Sequence, residues 1–118
     1  MRTAPSTPPG SIVYAVGDIH GRADLLAGVL AELRRAAAEA KGRNLVVVFL
    51  GDYIDRGPSS REVLSRLISF RHEGVCETVF LRGNHEQVLL DLIDGFEDTG
   101  RWLDYGGQDT LRSYGLER

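Results

Sequence analysis

Three short apolar runs in this chain each stop at a glycine-flanked polar cluster, and this repeated junction constrains the fold more than any other feature. Ile12 to Val16 ends at Gly17-Asp18, within GDIHG (Gly17–Gly21). Asn44 to Leu50 (NLVVVFL) ends at GDYIDRG (Gly51–Gly57), and Val75 to Leu81 (VCETVFL) ends at RGNHE (Arg82–Glu86). Runs of this length without strict alternation predict strands buried on both faces, as in a parallel sheet. Between the first two runs, Leu26, Val29, Leu30, Leu33 and Ala37 recur at helical spacing. Between the second and third, Val63, Leu64, Leu67 and Ile68 do the same, and Ser59 with Glu62 predicts a capping box just after Pro58. A third helix is predicted from about His85 to Ile93, with Leu89, Leu92 and Ile93 as its buried stripe. The order β-α-β-α-β-α predicts an α/β fold with right-handed crossovers and a parallel sheet.

Parallel strands point the same way, so the three polar clusters converge on one sheet edge, where such folds bind ligands. That edge would gather Asp18, His20, Asp52, Asp55, Asn84 and His85. Grouping carboxylates costs repulsion energy unless a cation offsets it. Oxygen donors mixed with imidazole suit manganese, iron or zinc better than calcium or a thiolate-type zinc site. The flanking glycines permit sharp turns and close backbone approach to a ligand.

Other classes are disfavoured. A formal charge of −3 over 118 residues argues against a nucleic-acid binder, which would show a basic stripe. The length fits one domain at most. Cys76 is the single cysteine, so no internal disulfide forms, as expected in a reducing compartment. No apolar run approaches membrane-spanning length. The Pro-, Ser- and Thr-rich leader (residues 1–10) lacks the apolar stretch of a signal peptide and reads as a flexible tail before a domain at 11–118; a cytoplasmic location is the expectation.

Several residues also fit plainer roles. Asn84, at a strand-to-helix junction with Gln87 three residues on, fits a helix N-cap as well as a ligand. Ser59 and Ser60 read as caps and His72 as solvent-exposed. Cys76 reads as a core residue, and Trp102 and Tyr105 as packing anchors. Glu86 reads as support for its neighbours in the site.

GDIHG, GDYIDRG and RGNHE, in this order and at these intervals, resemble the three leading motifs of the calcineurin-like metallophosphoesterases, most closely the phosphoprotein phosphatase branch with its bacterial and phage-type members. The later Trp102…Gly106-Gly107…Thr110-Leu111…Ser113-Tyr114 stretch is also similar to bacterial members. The resemblance implies the parallel-sheet, N-terminal half of the metallophosphoesterase α/β sandwich. It implies two divalent ions, manganese first with iron or zinc as the other candidates, and a serine/threonine phosphatase reaction using a dimetal-activated water. Asp18 and His20 would then bind the first metal, Asp52 both, and Asn84 the second. His85 would be the general acid, oriented by Asp55, while Arg56 and Arg82 would hold phosphate oxygens. The implied substrate is a phosphorylated protein or small phosphoester, with no nucleic-acid or membrane partner; a symmetrical bis(5'-nucleosyl)-tetraphosphatase or an inactive metal-binding module is the alternative. Family members add two downstream histidine ligands, whereas no histidine follows His85 here. The 118-residue chain is therefore expected to be a truncated enzyme that turns over weakly or not at all.

Overall fold

In the computed structural model, which describes residues 5–95 and 99–116, three parallel strands stand in the order β1-β2-β3. They are β1 (Ser11–Val16), β2 (Asn44–Phe49) and β3 (Glu77–Phe80). Helix α1 (Ala23–Ala38) links the first pair and α2 (Ser60–Glu73) the second. After β3 come α3 (Asn84–Ile93), α4 (Thr99–Trp102), a wide turn over Leu103–Gly107 and α5 (Gln108–Ser113). The predicted α/β order is observed. Of the leader, residues 1–4 lie outside the described part, while the Gly10 carbonyl accepts the Asn44 N–H at 2.8 Å.

Two successive right-handed crossovers running the same way across a sheet place both helices on one face. The register shows which face. Tyr14 pairs with Val47 and Val16 with Phe49, while Val13 pairs with Val46 and Ala15 with Val48. Val47 and Phe49 are fully buried, in one core with Leu26, Leu30 and Leu33 of α1 and Val63, Leu67 and Phe70 of α2. Each of these side chains contributes about 1.5–3 kcal/mol by leaving water. Phe49 stacks on Phe80 (centroids 4.9 Å) and meets Phe70 edge-on at 6.4 Å. On the opposite face, Val13 is 42% and Val79 37% exposed. The expectation of strands buried on both faces is thus corrected: among the described residues, the helices cover one.

The helical stripes need the same correction. Val29, Ile68 and Ile93 are exposed, and Phe70 takes the core position that Ile68 was expected to fill. Helix α2 does start after Ser59, but the Ser59 side chain makes no capping bond, and Gly74 in the left-handed region (φ 67) ends the helix. Ser60 is no cap either. Its hydroxyl is buried and faces Asp55.

Candidate metal centre

Asp18 and His20 follow β1, Asp52 follows β2, and Asn84 and His85 open α3 just after β3. Backbone bonds lock these loops together. The Asp52 carbonyl accepts the N–H groups of Ile19 and His20 at 3.0 and 2.9 Å, and the Tyr53 carbonyl accepts Gly21 N–H at 2.9 Å. Gly51, at φ 107, leaves no room for a side chain, because a Cβ there would meet the Gly83 backbone. Four of the five non-glycine residues with positive φ among the described residues are His20, Asp52, Asp55 and Arg56, with φ of 43, 56, 74 and 74°. Such conformations are uncommon outside glycine and persist where surrounding contacts impose them.

One ligand atom from each of Asp18, His20 and Asp52 lies within 4.8 Å of the others. His20 Nδ1 is 2.9 Å from the Ile54 carbonyl oxygen, which can only accept, so the ring proton sits on Nδ1. In the neutral ring Nε2 then keeps its lone pair, 3.5 Å from Asp18 Oδ2. A second ring atom anchored to a carbonyl is the usual way a ligating imidazole is oriented. The Asn84 amide lies 2.9 and 3.0 Å from the two carboxylate oxygens of Asp52. With its nitrogen turned inward, Asn84 donates to Asp52; with its oxygen inward, acceptors face each other and a shared cation would offset the repulsion. This donor set of carboxylate, imidazole and amide fits a hard-to-borderline divalent ion. The helix N-cap is Gly83 and not Asn84, so the capping alternative for Asn84 is set aside.

Glu86 supplies the support expected of it. Its carboxylate accepts backbone N–H groups from Asp52 (2.6 Å), Tyr53 (2.9 Å) and Gly83 (2.9 Å). Burial, with Glu86 and Asp52 nearby, pushes the Tyr53 hydroxyl up to about 12. It stays a donor, bonded to the carbonyls of Phe49 (3.1 Å) and Leu81 (2.7 Å) at the ends of β2 and β3.

Beside the cluster, His85 Nδ1 lies 2.8 Å from Oδ2 of the fully buried Asp55. The His85 ring stands edge-on to His20, centroids 4.7 Å apart. The backbone N–H of His85 donates to Asp52 Oδ1 at 3.0 Å, tying the pair to the carboxylate cluster. Arg56 and His20 border an open cleft of about 960 Å³, with Arg22, Ser59 and Arg66 along its walls. Arg82 is exposed and donates to Gln87 at 2.9 Å. Two residues were missed as parts of the site. Trp102 Nε1 donates to Asp55 Oδ2 at 2.9 Å, and the Thr110 hydroxyl to Asp55 Oδ1 at 2.6 Å. The similarity of their stretch to bacterial relatives was the available signal, and it carried no geometry.

Among the described residues, no helix is long and apolar enough to cross a membrane. Residues 12–116 match the family described as calcineurin-like phosphoesterase. That span takes in all three strands except Ser11 of β1, and all three loops that gather the donor set. The chain therefore belongs to the calcineurin-like phosphoesterases, hydrolases of phosphoesters that generally work with a dimetal centre.

Proposed function

We propose that this site serves a serine/threonine phosphoprotein phosphatase, with manganese as the working metal. The observation that carries the reading is the buried Asp55–His85 pair, 2.8 Å apart, set against the Asp18–His20–Asp52 cluster. A serine or threonine alkoxide is a poor leaving group, so a held proton donor beside the phosphate helps most with such esters. Asp18, His20 and Asp52 would hold one ion, and Asp52 with Asn84 a second. When bound, the ions supply Lewis acidity and a water made nucleophilic near neutral pH. The chain's own groups do the rest. Arg56 and Arg82 grip the phosphate oxygens with guanidinium forks. His85, aligned by Asp55, gives a proton to the departing oxygen.

The test compares kcat/KM of the protein in saturating manganese on a phosphoserine peptide and on diadenosine tetraphosphate. The expected result is a preference for the phosphopeptide. A tenfold or greater preference for the dinucleotide, about 1.4 kcal/mol in transition-state binding, would mean that the site is a nucleotide hydrolase.

A further inference from the structure

None of the ligands or phosphate-gripping residues assigned above lies in the segment from α4 to α5, yet two polar side chains of that segment, Trp102 and Thr110, converge on one buried group. Asp55 has no exposed surface, and its side-chain acceptors are taken up from this segment and from His85. Oδ1 receives the Thr110 hydroxyl at 2.6 Å. Oδ2 receives Trp102 Nε1–H at 2.9 Å and faces His85 Nδ1 at 2.8 Å. The Asp55 backbone N–H donates to the same Thr110 oxygen at 2.8 Å and to Ser60 Oγ at 3.1 Å. Thr110 therefore grips both the backbone and the carboxylate of one residue. That residue sits at φ 74, a left-handed conformation that persists where surrounding contacts impose it.

The grip extends to Arg56. Its backbone, also at φ 74, donates its N–H to the Gly106 carbonyl at 3.1 Å. Gly106, at φ 104, can be nothing larger, because a Cβ would run into the Arg56 backbone. The wide turn at Leu103–Gly107 thus lays its chain directly along the loop that carries Asp55 and Arg56. Trp102, 3% exposed, packs its ring over Gly107 and still has its one polar atom on Asp55.

We infer that Trp102 and Thr110 are positioning residues for the reaction: by filling the other acceptor directions of Asp55 they fix its carboxylate, and through it hold His85 by its Nδ1–H, so that Nε2 faces the substrate side and carries the proton given up there, leaving Nδ1–H behind. An indole N–H and a hydroxyl both donate, so the Asp55 carboxylate is left as an acceptor for the imidazole and nothing else. Without them the carboxylate could rotate about its Cβ bond, and His85 could take either tautomer. This inference rests on the phosphatase reading for its purpose, though not for its geometry.

The experiment reads the geometry without substrate. In the full chain, ¹⁵N NMR of the imidazole in metal-free buffer, at a pH where the ring is neutral, reports which His85 nitrogen carries the proton. Wild type should show Nδ1–H. Thr110→Val, which keeps the shape and loses the hydroxyl, and Trp102→Phe should each give a mixture of tautomers. Thr110→Ser should restore the wild-type signal and shows that the fold tolerates change there. An unchanged tautomer in both Val and Phe variants, or a Ser variant as altered as Val, would overturn the inference. In saturating manganese, Trp102→Phe should lower kcat at least roughly tenfold on phosphoserine peptide and less than about threefold on p-nitrophenyl phosphate, with KM little changed. Equal losses on both esters would show that Trp102 only supports the fold. A tautomer that moves as expected in a protein that ignores phosphopeptides would leave the positioning role standing and refute the phosphatase reading alone.

Discussion

The carboxylate of Glu86 accepts the backbone N–H of Asp52 at 2.6 Å, and with the N–H groups of Tyr53 and Gly83 on the same side chain it ties the loop after β2 to the loop after β3. A neutral amide cannot replace it, because one of its two heavy atoms would be a donor facing donors. Glu86→Gln should lower unfolding free energy by about 1–3 kcal/mol. It should also weaken manganese binding by roughly 10- to 100-fold, since the Asp52 backbone loses its anchor. Urea unfolding and calorimetric titration measure the two effects. Wild-type values in both would mean that the loops hold themselves in place.

Manganese should raise the melting temperature of the chain, and chelator should return it to the metal-free value. At a hundredfold excess over Kd, binding is worth about 2.7 kcal/mol, or roughly 10 °C for a domain of this size. Asp52→Asn should abolish the shift, because Asp52 belongs to the Asp18–His20 cluster and also faces Asn84. Titration should reveal one tight site and a second at least tenfold weaker, as the second ion has just Asp52 and Asn84 among the described residues. Two equally tight sites, or a shift that survives Asp52→Asn, would refute this ligand assignment.

His85→Asn separates an acid from a ligand. Losing a proton donor at the leaving oxygen costs roughly a hundred- to ten-thousandfold in rate. That loss should appear in kcat on phosphoserine and shrink to a few-fold with p-nitrophenyl phosphate, whose leaving group departs unprotonated. Equal losses on the two substrates would make His85 a structural or metal-binding residue.

The bare sheet face makes a prediction of its own. Val13 and Val79 are 42% and 37% exposed on a face that also carries Val46 and Val48. Contiguous apolar surface of this kind drives association. Val13→Thr with Val79→Thr keeps β-branched side chains in the strands while reducing that surface. The double variant should bind less of a hydrophobic dye and remain monomeric to higher concentration in analytical ultracentrifugation. Unchanged dye binding and association would place the sticky surface elsewhere.

What was legible in the sequence was whatever sits directly at a strand end. Asp18, His20, Asp52, Asn84 and His85 each lie within five residues of the last residue of β1, β2 or β3. Parallel pairing alone then brings them together. The helix faces were harder to read. Val63, Leu67 and Phe70 form the buried arc of α2, and Ile68, one residue and so about 100° beyond Leu67, turns to solvent. Periodicity gives the arc's width but not its rotation, which depends on where the sheet lies. Trp102 and Thr110 were illegible for a different reason. They lie 47 and 55 residues from Asp55 in sequence, and no local spacing rule relates partners that far apart.

Those separations also bear on the order in which the molecule comes together. The sheet joins neighbours in sequence, β1 to β2 and β2 to β3, through one helix each. Asp55 must instead recruit Trp102 and Thr110 from 47 and 55 residues away, further than the spacing of strand partners such as Ser11 with Asn44 or Val46 with Glu77. Long closures cost more chain entropy and form after shorter ones. On this hypothesis the strands assemble first, and the α4–α5 segment docks last. The indole N–H of Trp102 should then exchange with solvent deuterium well before the amides of β2, and equal protection would refute that order. The clamp on Asp55 would be the newest part of the fold, present only after the loops it steadies are already standing.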